Sequence, residues 1–145
     1  MNKNIFLSGS FVIIDINGKL LFQKRDNKSD IWYPNLLGLF GGSIENKETP
    51  IICALRELNE ETNFNFKSLD LLFKINFSTA QKFKYIFYKK INSLPKKFKV
   101  NEGSGYKCIR YENIYKYKKE IISIDFYAVT MYLYFIKNKS YKKAT

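Results

Sequence analysis

Two apolar runs, FVIIDI and KLLFQK, flank the dipeptide Asn17-Gly18. Asn-Gly readily supplies the positive φ angles of a tight type I′ turn, so the chain is expected to open with a β-hairpin. The polar, proline-containing stretch RDNKSDIWYPNL then reads as a loop leading into a short strand, LGLF, and on to Gly41-Gly42. From Thr49 the period changes. Ile51, Leu55, Leu58 and Thr62 recur at helical spacing, while Arg56, Glu57, Glu60 and Glu61 crowd an adjoining face. Pro50 suits the first turn of such a helix, where an N–H would have no intrahelical partner. Asn63 stands where the helix should stop and is expected in the left-handed conformation common at helix C-termini.

Further on, LDLLFKINFS and KFKYIFYKKI read as two strands that pair across a Ser-Thr-Ala-Gln turn. SLPKKFKVNEGSG is a polar loop and YKCIRY a short strand. EIISIDFYAVTMYLYFIK is a helix whose Ile121, Phe126, Val129, Leu133 and Ile136 approximate one apolar stripe. Strands mixed with two helices imply an α+β or layered αβα domain.

Composition narrows this picture. A chain of 145 residues, 46% apolar and 17% aromatic, is long enough for one packed core. The expected organisation is a single domain over residues 1–137 followed by a basic C-terminal tail over residues 138–145. The start of the chain holds no long apolar segment or small-residue cleavage site, and the apolar run from Ile121 to Ile136 is interrupted by Ser123, Asp125 and Thr130. No membrane association is therefore expected, and a cytoplasmic location is the default. Cys53 and Cys108 lack CxxC spacing and suit burial in a reduced cytosol.

The chain has no histidine, which excludes Ser-His and Cys-His dyads, imidazole-dependent zinc sites and a histidine general base. Any hydrolytic chemistry must run on carboxylates, lysine, tyrosine or metal ions. A formal net charge of +12 favours polyanionic partners, nucleotides and RNA among them, without choosing between them.

The chemistry concentrates on the first helix. Glu57, Glu60 and Glu61 share one patch of helix surface at spacings of three and four residues. Each like-charge pair costs an isolated helix about 0.2–0.5 kcal/mol unless a cation sits among them. Hard oxygen donors gathered this way suit Mg²⁺, with Mn²⁺ as an alternative. Taken alone, such a patch is also what an ordinary solvated acidic face looks like.

The wider register changes that reading. Gly42, five residues, Glu48, seven residues, Arg56-Glu57-Leu58, one residue, Glu60-Glu61, one residue and Asn63-Phe64 follow in order. This resembles the Nudix box, GX5EX7REUXEEXGU with U apolar, at every fixed position but the last glycine, which is Asn63 here. The flanks LLFQKRD, WYPNLLGLFGG and NEGSGYKCIRYENI are similar to segments before and after the box in that family.

The resemblance implies a Nudix-type αβα sandwich with a mixed β-sheet, and a hydrolase that attacks one phosphorus of a diphosphate with metal-activated water. It carries metal binding onto Glu57, Glu60 and Glu61, with the Gly41 carbonyl as an added oxygen ligand. Glu57 becomes a candidate proton acceptor. Arg56 is expected to pair with Glu48 and hold Glu57, while Gly42 and Glu48 shape the box. A carboxylate outside the box is expected to assist catalysis: Glu102 in the Gly-flanked loop, with Glu112 as the alternative. Arg25 is expected to meet substrate phosphate, and Trp32, Tyr33 and Phe40 to wall a nucleobase pocket.

The implied substrate is a small nucleotide, a nucleoside diphosphate linked to another group. Nucleoside triphosphates or oxidised deoxynucleoside triphosphates lead, and sugar-linked nucleotides follow. Two alternatives stay open: an RNA 5′-end pyrophosphohydrolase, suggested by lysines interleaved with aromatics in KFKYIFYKK and YENIYKYKK, and a catalytically silent nucleotide-binding domain. Either a monomer or a homodimer is compatible with the sequence.

Overall fold

The computed structural model describes residues 7–78 and 82–144. β1 (Gly9–Ile16) and β2 (Lys19–Lys24) form the opening hairpin, and Asn17 and Gly18 take φ values of 46° and 97° at its turn. The two strands stay paired only from Ile14 to Ile16. Beyond that point the segment from residue 37 to 43 fills the gap between them. Its first part, β3 (Leu37–Gly38), pairs with β2, and its second, β4 (Phe40–Ser43), pairs with β1. This divergence places Gly41 and Gly42 at an opening in the sheet, where a helix can approach bare backbone.

β5 (Asp70–Ser78) and β6 (Lys82–Ile91) pair antiparallel as expected. Apart from Ser78, the Ser-Thr-Ala-Gln turn between them lies outside the described residues. β6 runs parallel to β1, whereas β7 (Gly105–Arg110) runs antiparallel to β2 and completes a seven-stranded mixed sheet.

Strand alternation sends successive side chains to opposite faces and so builds two cores. Val12, Ile14, Leu21, Phe40 and Phe87 meet Ala54 and Leu58 of α1 (Pro50–Glu61) on one face. Ile13, Leu20, Phe22, Leu39, Ile86 and Ile109 meet Ala128, Val129 and Tyr132 of α2 (Ser123–Ala144) on the other. The fold is α+β, with one helix layer on each side of the sheet.

α1 starts as its sequence dictates. Thr49 caps it by accepting from the Ile52 N–H at 3.4 Å, and Pro50 occupies the first turn. Its buried face differs from the expected stripe: Cys53, Ala54, Leu58 and Glu61 are buried, while Ile51 and Leu55 lie at the margin. The helix rests on the side-chain-free backbone of Gly41-Gly42, so small residues and reaching carboxylates belong on that face.

Asn63 also departs from expectation, because it has no positive φ. The helix ends at an extended Thr62, and the Asn63 side chain instead donates to the Lys97 carbonyl at 2.8 Å and accepts from the Lys99 N–H at 3.1 Å.

The deepest residues of α2 are Asp125, Ala128, Val129 and Tyr132, and the expected Phe126, Leu133 and Ile136 are only partly buried. Ile121 precedes the helix and bridges Leu37. Residues 138–144, expected as a tail, continue the helix to Ala144. Among the described residues no helix is long and apolar enough to cross a membrane.

Candidate active site

Gly41 takes φ +150°, and a Cβ there would lie 2.2 Å from the Ser10 carbonyl oxygen and 2.7 Å from Phe11 Cα. Only glycine lets β4 pass β1 this closely. The Gly41 N–H donates to Glu61 Oε2 at 3.1 Å. At Gly42 a Cβ would stand 2.3 Å from Glu57 Oε1, so the missing side chain is the space that the Glu57 carboxylate occupies.

Arg56 braces this arrangement. Its Nε donates to Glu48 at 2.8 Å, Nη1 to Glu57 at 3.0 Å and to Glu60 at 3.3 Å, and Nη2 to the Ser43 carbonyl at 3.1 Å. One planar guanidinium thus ties the loop before α1 to the helix carboxylates, a task its fork geometry suits. Cys53 is buried and free beneath the same loop, with Sγ 3.6 Å from the Gly42 carbonyl, and Cys108 is also free.

The sequence showed three carboxylates on one helix; the structure separates them. Glu60 is half exposed on Arg56, Glu57 is largely covered, and Glu61 is only 5% exposed. Burial pushes the Glu61 carboxyl up to about 9, and the charges of Glu57 and Glu102 add to that, against the Gly41 N–H and Arg25. Burial also raises Glu57; Arg56 opposes the shift, while Glu60 and Glu102 reinforce it.

Glu102 arrives on a fastened loop. Asn101 donates from its backbone to the Glu61 carbonyl at 2.7 Å and from Nδ2 to the Glu60 carbonyl at 3.0 Å. Gln23 Nε2 donates to the Glu102 carbonyl at 3.0 Å, and the Ser104 N–H to the Lys24 carbonyl at 2.9 Å. Glu112, by contrast, sits on a short 3-10 helix (Tyr111–Tyr117), exposed and 3.8 Å from Arg110. The structure therefore brings Glu102, and not Glu112, into the field of the helix carboxylates.

Sequence reasoning missed Gln23 and Asn101. Their partners lie 79 and 41 residues away, and no local pattern marks such contacts.

These donors fit a divalent cation of the Mg²⁺ type. Among the described residues no three acidic groups form a closed cage. Mg²⁺ does not require one, since it retains waters and binds through one or two carboxylates plus substrate phosphates. Glu61 is buried against a neutral N–H donor and in the field of other carboxylates, which a cation would relieve.

Arg25 stands at the neck of the loop after β2, its Nε donating to the Trp32 carbonyl at 2.7 Å. Its charge opposes the upward shift of the Glu61 carboxyl as the weakest of the named influences on it. Trp32 and Tyr33 are 61% and 50% exposed, with ring centroids 6.2 Å apart. Phe40 corrects the expectation of a pocket wall: it is wholly buried beside Ala54, Leu58 and Phe64, because the pleat of β4 turns it beneath α1.

The lysine and aromatic stretches are structural in part, and Lys90, Tyr115, Lys116, Lys118 and Lys119 stay exposed. In β6, Phe87 is buried and Lys84 pairs with Asp125 at 2.7 Å. In the 3-10 helix, Ile114 is buried and Tyr111 donates to Asp15.

Comparison with known proteins agrees with this geometry. The NUDIX domain family pattern matches residues 8–128. Among curated proteins no match is found. A MutT protein from Methanosarcina mazei Go1 superposes with a TM-score of 0.71 at 18% identity, over 96% of this chain and 99% of that one. A NUDIX hydrolase from Nitrosomonas europaea gives 0.66 at 21% identity, over 82% of this chain and 65% of that one. A bifunctional NMN adenylyltransferase/ADP ribose pyrophosphatase from Francisella tularensis, complexed with AMP and Mn ion, gives 0.67 at 19% identity. That match covers 88% of this chain, which spans only 41% of the bifunctional protein's length.

Proposed function

Because the chain belongs to the NUDIX family, we propose that it is a divalent-metal-dependent hydrolase cleaving the diphosphate linkage of a nucleoside diphosphate that carries another group. The observation that carries this reading is that Glu61 and Glu57 pack against the Gly41-Gly42 backbone, with Arg56 locking the helix to the loop and Asn101 fastening the Glu102 loop to the helix end.

Glu57, Glu60 and Glu61, with the Gly41 carbonyl, would hold Mg²⁺, or Mn²⁺ in its place. When bound, such an ion polarises phosphoryl oxygens and lowers the pKa of the attacking water. The chain's own residues do the rest. Arg25 binds and orients a phosphate through its guanidinium. Glu102, on its fastened loop, takes the proton of the water whose oxygen bonds to phosphorus, while the bridging P–O bond breaks and the phosphate leaves with the electron pair. Arg56 and Glu48 position Glu57. Trp32 and Tyr33, exposed beside Arg25, offer rings on which a nucleobase can stack. Nucleoside triphosphates, including oxidised ones, are the favoured substrates, with sugar-linked nucleoside diphosphates next.

The test incubates the purified chain with Mg²⁺ and a panel of nucleoside triphosphates, oxidised deoxynucleoside triphosphates, sugar nucleotides, dinucleotides and 5′-triphosphate RNA, and identifies the products. Glu61→Gln should lower turnover at least about 100-fold with circular dichroism unchanged, and EDTA should abolish it. Turnover that survives both treatments, or tight nucleotide binding with none at all, would overturn the proposal. Glu102→Gln should slow the reaction about 100-fold or more without unfolding the chain, in the range of a lost general base. An unchanged rate would remove it from that role.

A further inference from the structure

A cavity of about 410 Å³ lies on the α2 face of the sheet, on the side away from the α1 carboxylates. Its size falls within the roughly 300–1,000 Å³ of small-molecule sites. Asp70 of β5, Tyr88 and Lys90 of β6, and Phe135 and Lys139 of α2 line it. Strand pairing sets Asp70 opposite Tyr88, and the pleat sends Lys90 to the same face as Tyr88.

The lining has an aromatic part and a charged part. The rings of Tyr88 and Phe135 have centroids 5.9 Å apart and are inclined at 58°. Lys139 Nζ lies 5.3 Å from the Phe135 centroid. Lys89 also lines the cavity, but its ammonium lies over Phe66, 5.5 Å from the centroid, on the other face. Lys90 and Lys139 are therefore the cations available here, and neither forms an ion pair among the described residues. Asp70 is the single carboxylate, close enough to Tyr88 for its charge to act on the phenol. Two cations and one anion leave a net positive site with one strong acceptor beside two rings.

We propose that this cavity is a ligand site separate from the carboxylate cluster, and that it takes a nucleoside monophosphate. The phosphate lies between Lys90 and Lys139, the base stacks on Tyr88 with Phe135 at its edge, and Asp70 accepts a hydrogen bond from a ribose hydroxyl or a base amino group. Exposed lysines alone hold phosphate weakly and without selection. The rings add stacking, which requires base and phosphate in one molecule. The proposal does not depend on the catalytic reading.

The test titrates the isotope-labelled 145-residue chain in EDTA, which keeps divalent ions from the carboxylate cluster. Ligands are a nucleoside monophosphate, ribose 5-phosphate, the unphosphorylated nucleoside, and a 5′-phosphorylated oligoribonucleotide. Expected are saturable amide shifts centred on residues 70, 88–90 and 135–139, with each fragment binding at least about tenfold more weakly. The double variant Lys90→Glu, Lys139→Glu should lose at least about tenfold in affinity while keeping its melting temperature and its turnover with Mg²⁺. Shifts confined to residues 41–61 and 102, equal affinity for ribose 5-phosphate, or an unaffected double variant would each overturn the site. Tighter binding of the oligoribonucleotide would assign the site to a strand end and overturn the free nucleotide.

Discussion

An added Cβ at Gly42 would meet the tip of a movable side chain, Glu57, whereas one at Gly41 would meet the backbone of Ser10 and Phe11. The two adjacent glycines should therefore fail differently. Gly42→Ala is expected to leave the melting temperature near wild type, because the Glu57 carboxylate can swing aside, yet to lower turnover about 10- to 100-fold. Gly41→Ala forces a positive φ and a backbone clash, and should cost about 1–3 kcal/mol in chemical denaturation before activity is considered. Equal stability of the two variants would contradict the packing described at the opening. At this scale the sequence was legible where contacts follow from fixed spacing: Arg56 bonds Glu48 and Glu57, and Glu57 packs on Gly42, in the register of the box. It was not legible for Phe40, because an aromatic beside glycines can face either way and only the pleat of β4 turned it inward.

The first helix shows what element-scale reading supplies and what it omits. Thr49 and Pro50 marked its start correctly, since capping and the absent N–H act within one turn. Its end was read through Asn63 as a left-handed residue, but that side chain bridges to residues 97 and 99, which no local pattern could reveal. Asn63→Gly separates the two readings. If positive φ mattered, glycine would stabilise; with the side chain bridging, it should cost about 1 kcal/mol of unfolding free energy, measured in urea. The contact face of α1 also depended on its partner. Against the bare Gly41-Gly42 backbone, Ala54 and Glu61 turned inward and Leu55 moved to the margin.

Across the whole molecule, Asp15 joins three distant parts of the chain. It is 2% exposed on β1 and accepts from Tyr111 on the 3-10 helix and from Tyr132 on α2, 96 and 117 residues away. Burial and the bond to Asp15 hold both phenols above their ordinary pKa of 10.0. A folded pKa raised in this way contributes stability that is fully present below the unfolded value and is lost as pH rises through the folded one. Denaturant unfolding should show stability falling above about pH 10. Tyr132→Phe should cost about 1–3 kcal/mol near neutral pH and flatten the alkaline decline. A variant that declines as steeply as wild type would remove Tyr132 from that linkage. By itself the sequence marked out the strands, both helices and the register of the Nudix box, because period, turn chemistry and capping act over a few residues. Only the tertiary structure decided which carboxylates are buried, that Glu102 rather than Glu112 lies on a loop fastened to the first helix, and that Phe87 packs inward while Tyr88 of the same strand lines a cavity with Phe135. Those outcomes depend on contacts between segments far apart in the chain, and distance along a sequence carries no direct record of them.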